Sequence, residues 1–220
     1  PSRGLGDVYK RQLPDIDNLV CIGMVGTRKA SEYAIKAAHI MAKGITEAGA
    51  LVVSGGALGI DTYSHLGALA CGGKTVAVLG NGLGNNYLKA NEGLRNMIKQ
   101  NGALVTEYQP NVPANRTSFP MRNRIISGLS LGILVVEAGV KSGSLITANL
   151  AIEQNRDVYA VPASIFSSDF SGTNKLISDG ARLAINPVNV VEAYENDYPT
   201  LDLSKIRTAN EIVLDNSENA

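Results

Sequence analysis

Short apolar runs recur along the chain, separated by glycine-containing turns and by segments with a helical period. The runs are LVCIGMV (19–25), ALVVS (50–54), KTVAVLG (74–80), ALVTE (103–107), LGILVVEA (131–138), DVYAVP (157–162) and RLAI (182–185). They are apolar on both alternating positions, as strands of a parallel sheet covered on both faces should be. Between them, Ala34, Ala38, Met41 and Ile45 share one helical spacing, and Leu145, Ala148, Ala151 and Ile152 another. Strand and helix alternate with short connections, which predicts an α/β fold: a doubly wound, mostly parallel sheet with helices on both faces. Such sheets take ligands beyond the carboxyl ends of their strands, where the strand order reverses.

Composition adjusts this picture at the two ends of the chain. With 220 residues, 45% of them hydrophobic, the chain can bury a core of one domain with attachments. Residues 1–18 show neither period and are expected to be a leader or the remnant of a fragment, with the domain proper over 19–195. Residues 196–220 are expected to form an acidic tail or a linker to a C-terminal domain. The 20 basic and 20 acidic residues cancel overall. Residues 195–220 nonetheless hold six acids against two bases, and 1–18 hold three of each, so the middle of the chain is mildly basic. No run approaches the roughly 18–20 apolar residues of a membrane span, and the expectation is a soluble, cytoplasmic chain with no membrane partner. Cys21 and Cys71, both expected to be buried thiols, make neither a disulfide framework nor a CxxC metal site.

The turns after the strands carry the candidate chemistry. GTRKASEY (26–33) places Arg28 at the mouth of the first turn, either as an exposed loop charge or as an anion ligand, with Ser31 capping the next helix. SGGALGID (54–61) carries Ser54, Gly55, Gly56 and Gly59, read either as a plain turn or as a nest of amides for an anion. It matches neither GxGxxG nor a Walker A loop. Asp61 suits the first turn of a helix, and His65, without a Ser or Cys partner, is read as structural. No acid occurs between Glu107 and Glu137, whereas Arg116, Arg122 and Arg124 fall within nine residues. These arginines form either a solvated face or, with Asn115, Asn123 and Phe119, the mix of charge and stacking surface that single-stranded nucleic acid prefers. Phe119 itself is read as core or as stacker. Ser142, Gly143 and Ser144 open a helix whose amides suit a phosphate, but no base stands by to make either serine a nucleophile.

Taken in order, GTRKASEY, SGGALGID, FPMRNRIISGLS, SGSLITA and GTNKLISDGA resemble the DprA/Smf family of DNA-processing proteins over residues 19–194. The resemblance implies an extended Rossmann-like fold that binds single-stranded DNA without nucleotide chemistry, cofactor or metal. It also implies protection of incoming DNA in natural transformation, loading of the RecA recombinase, and a homodimer. By position, the family's DNA-contacting arginine falls on Arg28, the lysine after its glycine-rich third-strand loop on Lys89, and its double glycine on Gly55 and Gly56. Arg122 and Arg124 match its RNR, with their role divided between DNA contact and pairing with carboxylates such as Glu137. The third-strand loop here, GLGNNYLKAN, lacks the family's usual Asp and Tyr-Pro, which sets the register of Lys89 only to within about a residue. The family's VPG is Val161-Pro162-Ala163 here.

Two other readings compete. One is a nucleotide-binding enzyme of the lysine-decarboxylase-like, nucleoside monophosphate phosphoribohydrolase type. Against it, SGSLITANLAIEQN supplies only Glu153 where that family has PGGxGT followed by a pair of acids. The other is a purely structural, partner-binding domain. The leading expectation is a non-catalytic strand-binding pocket of Arg28, Lys89, Arg122 and Arg124, with Arg116, Phe119 and the amides around Gly55–Gly59 beside it.

Overall fold

The computed structural model of the chain describes residues 8–10, 13–85 and 87–206. Strands β1 (Val8–Lys10), β2 (Cys21–Val25), β3 (Leu51–Ser54), β4 (Thr75–Val78), β5 (Gly102–Thr106), β6 (Gly132–Val135), β7 (Asp157–Ala160) and β8 (Arg182–Leu183) form one sheet in the order β1-β5-β4-β3-β2-β6-β7-β8. β2 to β8 are parallel, and β1 pairs antiparallel with β5 at the edge. This is a Rossmann-like fold. From β2 the chain builds outward through β3, β4 and β5 and then returns to the other side of β2 with β6, so the strand order reverses between β2 and β6. The crevice expected from that reversal opens above these two strands.

Successive strand residues alternate between two cores, which explains the continuous apolar runs. From β2, Ile22 and Met24 face one core while Cys21 and Val25 face the other. On β6, Leu134 divides from Ile133 and Val135 in the same way. α1 (Glu32–Glu47), α2 (Ile60–Ala70) and α7 (Val188–Val191) close the first core, with Ala34, Ala38, Met41 and Ile45 buried as the spacing predicts. α4 (Ser118–Gly128) and α5 (Ser144–Glu153) close the second. α3 (Glu92–Asn101) covers the β4–β5 end through Leu94 and Ile98, and α6 (Ser171–Ser178) lies between β7 and β8 in the chain. Ile152 departs from the expected pattern: it is 58% exposed, while Ala148 and Ala151 of the same helix are buried.

At both ends the fold extends past the bounds expected from sequence. Val8–Lys10, in the segment left outside the domain, adds a strand to β5, and Leu13 and Ile16 pack on the second core. Leu201 and Ile206, in the expected tail, are buried in the first core, and the Asp202 amide donates to the Ala48 carbonyl at 2.8 Å. Periodicity fails to mark such segments because Val8–Lys10 is held by backbone pairing and the other residues reach the core singly, without a repeating stripe. Of the thiols, Cys21 is buried and pushed up to about 12 by that burial, whereas Cys71 is only partly buried.

His65 is fully buried on α2. The Thr75 hydroxyl gives its proton to the Val52 carbonyl at 2.7 Å, so it accepts from His65 Nδ1 at 2.8 Å, and Nε2 is left bare without a partner. Burial, helped by the charge of Arg122, lowers the imidazole from 6.5 to about 3. Between those pH values the unfolded chain takes up a proton that the folded chain refuses. Stability therefore falls as the pH drops from about 6.5 towards 3, with a His65 contribution of up to about 1.4 kcal/mol per pH unit. Urea midpoints compared at pH 7 and pH 4.5 will be separated less in His65→Gln than in the parent chain, and equal separations would remove His65 as the cause.

Candidate functional site

The turn after β2 is held from both sides. The Thr27 amide donates to the Glu137 carbonyl at 2.9 Å, and the Thr27 carbonyl accepts the Ile60 amide at 3.1 Å, which sets Arg28 between the turns after β3 and β6. Gly59 permits this approach. It sits at φ +73°, and a Cβ there would strike the Thr27 carbonyl oxygen and the Arg28 backbone. Gly59→Ala is expected to cost about 1–3 kcal/mol of stability and to displace Arg28, read as a lower urea midpoint together with weaker ligand binding. Ser31 caps α1 by accepting the Ala34 amide at 3.2 Å. The Glu137 carboxylate, expected to pair with Arg122 or Arg124, instead accepts the Ser31 amide at 2.9 Å and the Ser31 hydroxyl at 3.3 Å.

Beneath the site lies a buried polar network. Arg122, on α4 and 5% exposed, donates to the carbonyls of Gly55 and Val78. A Cβ on Gly55 would fall on the Arg122 guanidinium and on Asp61 Oδ2, so the first glycine of the pair makes room for this cation and this acid. Asp61 accepts the Ala57 amide at 3.2 Å, and burial pushes its carboxyl up against the opposing pull of Arg122. Gly56 takes a left-handed φ of +64°. Its carbonyl and that of Ala57 both accept from the Asn91 side chain at 3.2 Å. Ser54 is buried and donates to the Met24 carbonyl at 2.6 Å. The amides of Ala57 and Ile60 are thus committed within the protein, and the glycine loop is braced as much as it is open.

Two cavities lie above this network. The larger, of about 490 Å³, is lined by Arg28, Arg116, Phe119, Arg122 and the α5 start at Ser142–Ser144. The smaller, of about 260 Å³, is lined by Gly55, Gly56, Leu79, Tyr87 and Arg95, with Arg28 and Phe119 shared between the two. The Arg28 guanidinium stands 4.7 Å over the Phe119 ring, and the Tyr87 ring lies 5.5 Å from Phe119. A guanidinium over an aromatic face is attracted by the ring quadrupole. Among the described residues neither Arg28 nor Arg116 is ion-paired with a carboxylate. The Ser142 and Ser144 hydroxyls bond each other at 2.8 Å, and the positive end of α5 faces the larger cavity. Two unpaired arginines, a held aromatic face and a helix N-terminus can take an anion together with a flat, apolar group.

The structure therefore brings Arg28, Arg116, Phe119, Arg122, Gly55, Gly56, Ser142, Gly143 and Ser144 to one place. Phe119 proves to be a half-buried wall, and Arg122 a buried strut whose Nη1 donates to two backbone carbonyls while its Nε has no hydrogen-bond partner among the described residues. Gly59 serves the crossing of two turns. Lys89 is exposed on the short 3-10 turn Lys89–Asn91 and lines neither cavity. Arg124 lies outside both and pairs with Glu107, and Ser54 lies under the floor. Sequence reasoning missed Arg95 and Tyr87 as lining residues and Asn91 as the brace of the glycine loop. Arg95 reads as an ordinary charge on an amphipathic helix, and Asn91 is only the residue before that helix, so neither carries a local signal.

The family described as DNA recombination-mediator protein A matches residues 8–195. DNA processing protein DprA of Streptococcus pneumoniae is 41% identical over 187 residues, which are 85% of this chain and 66% of that protein. The chain thus spans just under two thirds of that relative. An X-ray structure of the S. pneumoniae protein superposes with TM-score 0.80 at 40% identity, covering 84% of this chain and 65% of the other. A structure of DNA processing protein A from Helicobacter pylori, described for its single-stranded DNA binding mode, superposes with TM-score 0.79 at 29% identity and covers 87% of each chain.

Proposed function

The chain belongs to the DNA recombination-mediator protein A family, and on that premise we propose that it binds single-stranded DNA in the cleft beside Arg28. The observation that carries this reading is the pair of arginines, Arg28 and Arg116, which share one cavity with Phe119 and the start of α5 while unpaired with any carboxylate among the described residues. Phosphates take the guanidinium groups and the positive end of α5, and a base takes the aromatic wall. Lys89 and Arg124, outside the cavities, contribute at most a diffuse attraction, and Arg122 supports the floor. The S. pneumoniae and H. pylori relatives, named as DNA-processing proteins, point the same way.

Binding without turnover is part of the proposal. The two site serines bond each other, and buried His65 is bonded to Thr75 rather than facing either cavity. Loading of the RecA recombinase onto the bound strand and assembly as a homodimer extend the same reading. Among the described residues no helix is long and apolar enough to cross a membrane.

The direct test is a titration of labelled oligothymidylate, followed by anisotropy at several salt concentrations, beside a duplex of the same length. The expected result is tighter binding of the single strand, with affinity falling as salt rises. No binding at low salt would end the proposal, and release of adenine from AMP would turn it towards the enzymatic reading.

A further inference from the structure

The turn Ala163–Ser167 after β7 holds two large apolar side chains in water: Ile165 is 85% and Phe166 93% exposed. Several bonds fix this turn. Asn174 of α6 clamps its base, accepting the Ala163 amide at 3.2 Å and donating to the Ala163 carbonyl at 3.1 Å, and the Ser167 amide closes on the Ser164 carbonyl at 3.0 Å. A braced turn that presents an aromatic ring and a branched aliphatic group to solvent leaves both side chains free to meet a ligand.

The turn is tied by hydrogen bonds to elements that wall the proposed strand-binding cleft. Tyr33, the second residue of α1 and five residues after Arg28, donates its hydroxyl to the Pro162 carbonyl at 3.0 Å, directly before the turn. On the other side the Gly172 amide donates to the Ala138 carbonyl at 2.7 Å, which ties the start of α6 to the β6 turn that also holds Thr27. β7 stands two strand spacings from β2, about 10 Å. The segment 161–170 contains no cation and does contain Asp169, so its chemistry repels a phosphate and offers a flat apolar face. That combination suits a nucleobase whose phosphate lies nearer the arginines.

We propose that Phe166 stacks on a base of the single strand after it leaves the Arg28 cavity, extending the track across the β7 turn. The inference rests on the proposed strand binding, and its test separates the two. The chain contains no tryptophan, so the substitution F166W introduces the only indole. Adding oligothymidylate is expected to quench its emission as the cleft fills. F166A is expected to bind about tenfold more weakly, a change of about 1.4 kcal/mol, with an unchanged salt slope because no charge is removed. On a strand of abasic residues F166A and the parent chain are expected to bind alike. The side chain supports nothing inside the fold, so both variants will fold. Binding by the parent chain with silent F166W emission and full F166A affinity would overturn the stacking role alone. Absence of any binding by the parent chain would overturn both readings. Emission that changes with protein concentration before any oligonucleotide is added would instead assign the turn to contact between copies of this chain and overturn the proposal.

Discussion

Arg122→Leu will cost the fold about 3–5 kcal/mol, read as a fall in the urea unfolding midpoint at pH 7. The expected size follows from what the guanidinium leaves behind. The Gly55 and Val78 carbonyls lose their donor, and the Asp61 carboxylate is buried without its compensating charge. The pH dependence distinguishes this cause from simple loss of packing. Without Arg122 the Asp61 carboxyl rises further above its unfolded value of about 3.9, so the folded variant holds a proton that its unfolded chain releases. Such a group adds stability as the pH falls through its raised value. The deficit of Arg122→Leu relative to the parent will therefore shrink between pH 7 and pH 5, and loss of the Arg122 charge, which helps to depress the His65 imidazole, works in the same direction. Adding Asp61→Asn is expected to recover part of the loss at pH 7. A deficit that stays constant with pH and is not relieved by Asp61→Asn would show that Arg122 acts by filling space.

Arg28→Ala will weaken oligonucleotide binding by about tenfold or more while leaving the unfolding midpoint within about 0.5 kcal/mol of the parent. Arg28 has no ion-paired carboxylate among the described residues, its attraction to buried Asp61 is offset by its repulsion of buried Arg122, and its guanidinium lies over the Phe119 ring. The salt dependence supplies the specific signature. Each phosphate no longer neutralised reduces the log–log slope by about 0.7 for a single strand. Arg124→Ala is the contrasting case. Its guanidinium pairs with Glu107 away from both cavities, so affinity and slope will stay near the parent values, and the lost surface pair will cost at most about 1 kcal/mol. Equal losses in the two variants would mean that the strand follows general positive charge over the surface and not the cleft.

Local chemistry reached as far as which turns matter. The strands were legible because a parallel sheet covered on both faces demands unbroken apolar runs, and α1 because its buried stripe recurs every three or four residues. With strand and helix alternating, the turns at the strand ends were the places to search, Lys89 among them, whereas the reversal between β2 and β6, which joins the turns carrying Arg28, Gly55 and Ser142, is set by the strand order of the folded sheet. The edges were less legible. Val8–Lys10 is held by backbone pairing with β5, which any side chain permits, and Leu201 and Ile206 join the core singly, below the reach of periodicity.

Composition and order of residues alone determined the α/β class, the strand-end turns as candidate sites and the arginine-rich, acid-free stretch among them. Tertiary structure decided what each cation does. Arg28, Arg116, Arg122 and Arg124 are the same residue type in similar local settings, yet one lies over an aromatic ring, one opens to the cavity, one is buried against carbonyls and one is paired with Glu107. The free energy of a guanidinium depends on its distance to charges and carbonyls brought near from 17 to 67 residues away along the chain, and on how much water remains around it, quantities that exist only once the chain has folded.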